Sequence, residues 1–220
     1  DDPQALSLDA ETQPQVPLIG MIGRLVEQKG FDLVAQALEA LMERDLQMVI
    51  LGTGEQRCHE MLTEMVARYP RRIGLHLGFD EARAHRIEAG SDMFLMPSRF
   101  EPCGLNQLYS LRYGTVPVVS ATGGLVDTVT GYNEQTEPNG TATGFMFRPE
   151  SAEQMIAAVD RALKVYRDEP DQWRELMLRG MRQDWSWDRS AGEYRDVYEQ
   201  AAGKRRPAGS GAGQSAAGGA

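Results

Sequence analysis

The sequence predicts an α/β fold: a Rossmann-like parallel sheet with helices on both faces. Short apolar runs of strand length recur, each closed by glycine, proline or a polar turn. Stretches with apolar residues at helical spacing lie between them. The regular alternation of the two patterns requires crossover connections, which place helices on both sides of parallel strands and wind them right-handed. The 220 residues, 41% hydrophobic and 25% charged, form a chain long enough to bury a substantial core.

Leu18 to Ile22 reads as the first strand, bounded by Pro17 and Gly23. Phe31, Val34, Ala35, Leu38 and Leu41 follow at helical spacing. Met48 to Leu51 is a second strand, stopped by Gly52-Thr53-Gly54, and Cys58 to Val66 a helix with Pro70 beyond it. Ile73 to Leu77 is a third strand, Glu81 to Ala89 a short helix, Met93 to Met96 a fourth strand and Leu105 to Tyr113 a helix. Val116 to Val119 is a fifth strand, with Gly123-Gly124 and a helix start near Leu125 after it. Thr130 to Gly144 reads as a polar loop with an Asn139-Gly140 turn. Phe145 to Phe147 adds a short sixth strand, and residues 151–167, 171–183 and 187–200 read as helices.

Residues 1–16 are polar and proline-spaced, as in a linker, and 201–220 are Gly/Ala-rich around Lys204-Arg205-Arg206, as in a disordered tail. The ordered domain is therefore expected over 17–200. The start lacks an initiator Met and a signal pattern, so the chain reads as a piece of something larger. The net charge of -9 argues against nonspecific binding to nucleic acid or an anionic membrane. The 2 cysteines, Cys58 and Cys103, offer neither a disulfide framework nor zinc spacing, and their rarity fits a reducing compartment. No run is long and apolar enough to span a bilayer.

The richest stretch is Phe94 to Tyr109, FLMPSRFEPCGLNQLY. An apolar run ends at Pro97, a compact polar loop carries one carboxylate, Glu101, and Gly104 opens an amphipathic helix. Open α/β sheets hold ligands beyond such strand ends, and a new helix offers free N–H groups to an anion. The arrangement suggests a site that grips a sugar hydroxyl and a phosphate together.

Gly23-Arg24-Leu25-Val26-Glu27-Gln28-Lys29-Gly30 places two cations after the first strand. A planar guanidinium fork and a mobile ammonium together suit a diphosphate; each alone would equally be a solvated loop charge. Gly52-Thr53-Gly54 begins like a dinucleotide fingerprint, but Arg57 stands at the third glycine and the motif follows the second strand, so that reading is rejected. Gly123-Gly124 is either a phosphate-approaching turn or a plain strand-to-helix turn. His59, His76 and His85 show no metal spacing, and no Asp-x-Asp pair is present, so no metal site is assigned. Cys103 has no histidine near it in sequence to make it a nucleophile. Trp173, Trp185 and Trp187 read as core or interface anchors.

From about Pro17 to Gln200 the chain resembles the C-terminal half of bacterial and plastid-type glycogen (starch) synthases. Arg24, Gln28-Lys29-Gly30, Ser98 to Leu105 and Thr122-Gly123-Gly124-Leu125 carry the resemblance. Tyr109 stands where broader relatives have the second glutamate of a Glu-x7-Glu pattern, which again resembles the synthases. The resemblance implies the donor-binding half of a GT-B fold and transfer of glucose from ADP-glucose to the 4-hydroxyl of an α-1,4-glucan end, with retention and without a cofactor. It implies a bacterial cytoplasmic location, or a plastid for a plant or algal source.

By position, the resemblance makes Arg24, Lys29 and Glu101 the catalytic residues, the cations on the leaving diphosphate and the carboxylate on glucose hydroxyls. Phe79 would stack on the base in place of a tyrosine. Cys103, Gly104, Leu105, Asn106, Thr122 and Gly123 would complete nucleotide-sugar binding. The family's amino-terminal half, with much of the glucan surface, is absent from this chain, so the isolated chain is expected to turn over little. The alternatives are a related retaining transferase using another nucleotide sugar and a non-catalytic nucleotide-binding module.

Overall fold

The computed structural model describes residues 6–8 and 16–204. The Gly/Ala-rich tail expected over 201–220 lies outside these residues beyond Lys204. Strands β1 (Leu6–Leu8), β2 (Leu18–Leu25), β3 (Gln47–Gly54), β4 (Ile73–Leu77), β5 (Met93–Met96), β6 (Val116–Ser120) and β7 (Phe145–Phe147) form one sheet, in the order β1-β4-β3-β2-β5-β6-β7. Every pairing from β4 across to β7 is parallel; β1 joins β4 antiparallel at the edge. Leu6–Leu8 therefore adds an edge strand within the segment that reads as linker.

The strand order reverses between β2 and β5. The chain runs outward from β2 to β4, then returns to lay β5 against the other side of β2. This is the topological switch point of a doubly wound sheet, where loops diverge and open a crevice at the carboxyl ends of the strands. The loops after β2 and after β5 are the two singled out by the sequence.

The helices follow their apolar spacing. α1 (Phe31–Gln36) and α2 (Leu38–Met42) share the stretch read as one helix, with Ala37 between them. α3 (Gln56–Arg68) buries Cys58, Leu62, Met65 and Val66, and α7 (Ala152–Asp168) buries Met155, Ala158, Val159, Ala162 and Leu163. With α1 they cover one face of the sheet over the main core of Ile19, Met21, Met48, Ile50 and Leu95. A second cluster of Phe94, Met96, Val119, Leu125 and Val129 lies apart from it.

α4 (Glu81–Gly90) packs on β2 and on α5 (Asn106–Tyr113); α6 (Gly124–Thr128) also contacts α5, and α8 (Pro170–Met181) joins α5 and α7. Caps set the helix starts: Asp80 accepts from the N–H of Arg83 at 2.9 Å, and Ser151 accepts from that of Gln154 at 3.2 Å. Trp173 stacks on Phe145 and meets Tyr166 edge-on, as the core reading expects.

Two strands run past their sequence boundaries. β2 continues through Gly23-Arg24-Leu25 and β3 through Gly52-Thr53-Gly54, paired residue for residue. Glycine at 52 is required by packing, because a Cβ there would lie 2.1 Å from Gly23 O. The sequence signal for a turn was a signal for close strand approach.

The described residues divide into two compact units, the first ending at Gln183 and the second beginning at Asp184. The second holds α9 (Trp187–Lys204), so the domain expected over 17–200 is divided. On α9, Trp187, Ala191, Tyr194, Tyr198 and Ala202 line a shallow apolar face, and Arg189 lies over the Trp185 ring, 5.3 Å from its centroid.

Candidate functional site

At the switch point the loops after β2 and β5 are stitched together. The Arg99 N–H donates to Gln28 O at 2.9 Å, and Gln28 Nε2 donates to Phe100 O at 2.8 Å. Arg99 also forks onto the Asp32 carboxylate at 2.8 and 2.7 Å and donates to Glu27 O at 2.7 Å. That bidentate pair holds the Asp32 carboxyl below the usual carboxylate range. Gly30 closes the joint: it has a φ of 73°, and a Cβ there would stand 2.0 Å from Pro97 O.

Within this frame Lys29 Nζ donates to Glu101 Oε2 at 2.5 Å, and Ser98 Oγ donates to the same oxygen at 3.2 Å. Glu101 is buried and Lys29 partly exposed. Two of the three catalytic candidates, Lys29 and Glu101, are thus brought into contact from separate loops. Arg24 is exposed, makes no ion pair among the described residues, and lines a cavity of about 380 Å³ beside them.

That cavity lies over the ends of β2, β3 and β4. Its wall includes Gly23, Gly52, Gly78, Phe79, Asn106 and Tyr109. Phe79 is 86% exposed, an aromatic face with no ring stacked on it among the described residues. Asn106 is tied down through its Nδ2, which donates to Ile22 O at 2.8 Å. The walls are mainly apolar with a few polar groups, the usual make-up of a small-molecule site.

The start of α5 is shaped by Gly104, at a φ of 75°, and by the buried Gln107, whose Nε2 donates to Cys103 O and Gly104 O. Its first N–H groups have no carbonyl one turn back to accept them, so they suit an anion. Cys103 and Leu105 are exposed on this loop.

Thr122 and Gly123 stand behind the loop. Thr122 Oγ1 donates to Arg99 O, the Gly124 N–H donates to Glu101 O at 2.9 Å, and a Cβ on Gly123 would meet Glu101 O at 2.0 Å. These contacts favour the turn reading of Gly123-Gly124: the motif buttresses the backbone of Glu101, and the Gly124 amide is already spent.

Sequence reasoning gave no role of their own to Ser98, Asp32 and Gln107, which fix the loop from behind. It took from His85 only the lack of metal spacing, and it did not single out Glu88; both line the cavity. The spacing of Glu81, Ala84, His85 and Glu88 along one stripe of α4 was the available signal. Among the described residues no group of three or more His, Cys, Asp or Glu could hold a metal ion.

The family model for glycosyl transferases group 1 matches residues 8–176. A glycogen synthase of Anaeromyxobacter sp. (strain Fw109-5) is 54% identical over 190 residues, covering 86% of this chain and 39% of that protein. A glycogen synthase of Moorella thermoacetica is 49% identical over 193 residues, covering 88% and 39%. The chain thus spans about two fifths of the length of these relatives.

Among solved structures, the catalytic domain of starch synthase IV from Arabidopsis thaliana, bound to ADP and acarbose, superposes with a TM-score of 0.80 at 34% identity, over 89% of this chain and 41% of that one. A sucrose-phosphate synthase from Thermosynechococcus elongatus, at 22% identity and a TM-score of 0.66, shares the fold.

Proposed function

Because this chain belongs to the group 1 glycosyl transferases, we propose that it is the donor-binding half of a retaining glucosyltransferase. It would carry glucose from ADP-glucose to the non-reducing end of an α-1,4-glucan, in glycogen or starch synthesis. The observation that carries this is the contact of Lys29 with Glu101 at the switch point, together with Arg24 and the exposed Phe79 ring in the wall of the cavity over the strand ends. The glycogen synthase relatives and the ADP-bound starch synthase neighbour support the donor and the product.

The chemistry follows from charge. As the bond between glucose and diphosphate lengthens, the diphosphate gains negative charge and the sugar carbon becomes cation-like. Arg24 and Lys29 stabilise the first change, and fixed charges at a developing charge are among the largest catalytic contributions. Glu101 positions glucose hydroxyls and favours the second. The amides at the start of α5 add donors to phosphate or sugar, with Cys103, Gly104, Leu105 and Asn106 on that loop. Phe79 offers its face to the base.

The glucan acceptor and a further domain that closes over the donor are assigned to the part of the relatives this chain does not span, and the setting proposed is the bacterial cytoplasm. The test is glucose transfer from ADP-glucose to a maltooligosaccharide, with this chain joined behind the amino-terminal part of the Anaeromyxobacter relative. Transfer abolished by Lys29→Ala and by Glu101→Gln supports the proposal. Transfer that survives both, or that uses UDP-glucose in preference, overturns it.

A further inference from the structure

The wall of the cavity at the ends of β2 to β4 includes a pair, the buried Glu88 and the half-exposed His85, that the proposed chemistry does not use. Glu81, Ala84, His85 and Glu88 form the stripe of α4 that faces it. The Glu88 side chain is 2% exposed, and its Oε2 lies 3.3 Å from His85 Nδ1 without a directed hydrogen bond. His85 is 43% exposed above it, its ring edge-on to Tyr109 at 5.6 Å and to Tyr113 at 6.1 Å. The Tyr113 hydroxyl is 3.4 Å from the same Nδ1. A carboxyl buried beside Ile87 costs free energy unless a partner uses it.

Resting on the reading of the cavity as a nucleotide site, we propose that His85 is a base-reading residue of this cavity and that Glu88 is a positioning residue that sets which hydrogen-bonding face His85 presents. With one proton on the pair, the Glu88 carboxylate accepts from His85 Nδ1–H, and Nε2 is left as an acceptor. With a second proton, on either partner, Nε2 carries a hydrogen and becomes a donor. An acceptor matches the exocyclic amine of adenine; a donor matches the carbonyl of uracil.

Burial pushes the Glu88 carboxyl up to about 7, so the change falls near neutral pH. The other charged or titratable groups facing the pair are Asp80 at the cap of α4, Glu81 on α4, Arg24 on β2, and Tyr109 and Tyr113 on α5. The Asp80 carboxyl is held below its ordinary value because it accepts from the Arg83 N–H, so it stays ionised over that range.

The experiment is calorimetric titration of the chain with ADP, UDP and pyrophosphate at pH 6, 7 and 8, for the wild type, Glu88→Gln, Glu88→Met and His85→Phe. Dividing each nucleotide affinity by that for pyrophosphate removes the ionisation of the phosphates. The wild-type ADP ratio is expected to rise roughly fivefold from pH 6 to pH 8, the worth of one hydrogen bond, and the UDP ratio to fall. Glu88→Met, which leaves His85 Nδ1 no carboxylate or amide oxygen to donate to, should be flat, Glu88→Gln should keep the ADP preference at pH 8 because its amide oxygen still accepts, and His85→Phe should lose the ADP preference while keeping pyrophosphate binding. A Glu88→Met chain that unfolds normally and keeps the wild-type pH profile would overturn the proposal, as would an unchanged preference in His85→Phe. A wild type that binds pyrophosphate but gains nothing from either base would overturn the nucleotide reading itself.

Discussion

The contact between Lys29 Nζ and Glu101 Oε2 pairs the cation proposed for the diphosphate with the carboxylate proposed for the sugar. An incoming diphosphate must draw Lys29 away from a buried partner, and part of its binding energy goes into that exchange. Glu101→Gln is therefore expected to tighten ADP binding by several-fold, since the amide holds Lys29 less firmly, even though it removes sugar positioning. Lys29→Ala is expected to weaken ADP binding about tenfold or more, the worth of a charge-assisted hydrogen bond. Calorimetry on the two variants measures both shifts.

Glu88 gives a stability prediction of opposite sign to most acids. Its folded pKa, about 7, lies above the ordinary 4.5. The folded state therefore holds the extra proton, so its stability falls as pH rises from about 4.5 to about 7. Glu88→Gln should raise stability at pH 8 by at most on the order of 3 kcal/mol, seen as a higher melting temperature, and leave it nearly unchanged at pH 4. A gain that is equal at both values would contradict this.

Elements position these residues through the two loops at the switch point, and glycine makes their close approach possible. Gly30→Ala combines a left-handed backbone with a Cβ 2.0 Å from Pro97 O, and Gly123→Ala combines a φ of 47° with a Cβ 2.0 Å from Glu101 O. Each should cost at least about 1–3 kcal/mol in strain alone and weaken ADP binding. Gly90→Ala, at the end of α4 with nothing within 4 Å of its Cβ, should be neutral or stabilising by up to about 1 kcal/mol. Thermal unfolding of the three variants separates them.

The strands and helices were legible because their periodicity is local. The extra length of β2 and β3 was not, because Gly52 reads as a turn until a neighbouring strand is beside it. Nor was β1, since three residues paired at a sheet edge leave no periodic signature. Gly123-Gly124 read equally as a phosphate loop; its contacts with Glu101 O and Cys103 O exist only in three dimensions.

At the scale of the molecule, the strand reversal between β2 and β5 brings Lys29 and Glu101, 72 residues apart, into contact. Spacing alone could put both at strand ends but could not make those strands neighbours; the resemblance supplied their roles. Ser98, Asp32, His85 and Glu88 stayed hidden because each acts through a partner distant in sequence or one helical turn away. Among the described residues the fold leaves Arg24 without an ion pair and the exposed Phe79 without a ring contact, both in the wall of one cavity. The central claim is that these groups together form the donor nucleotide site. Its most direct test is calorimetric titration of the chain with ADP and UDP, with Arg24→Ala beside the wild type. Saturable binding that favours ADP and is weakened at least tenfold in Arg24→Ala is the predicted result. A folded chain that binds neither nucleotide, favours UDP, or binds ADP equally well without Arg24 would contradict it.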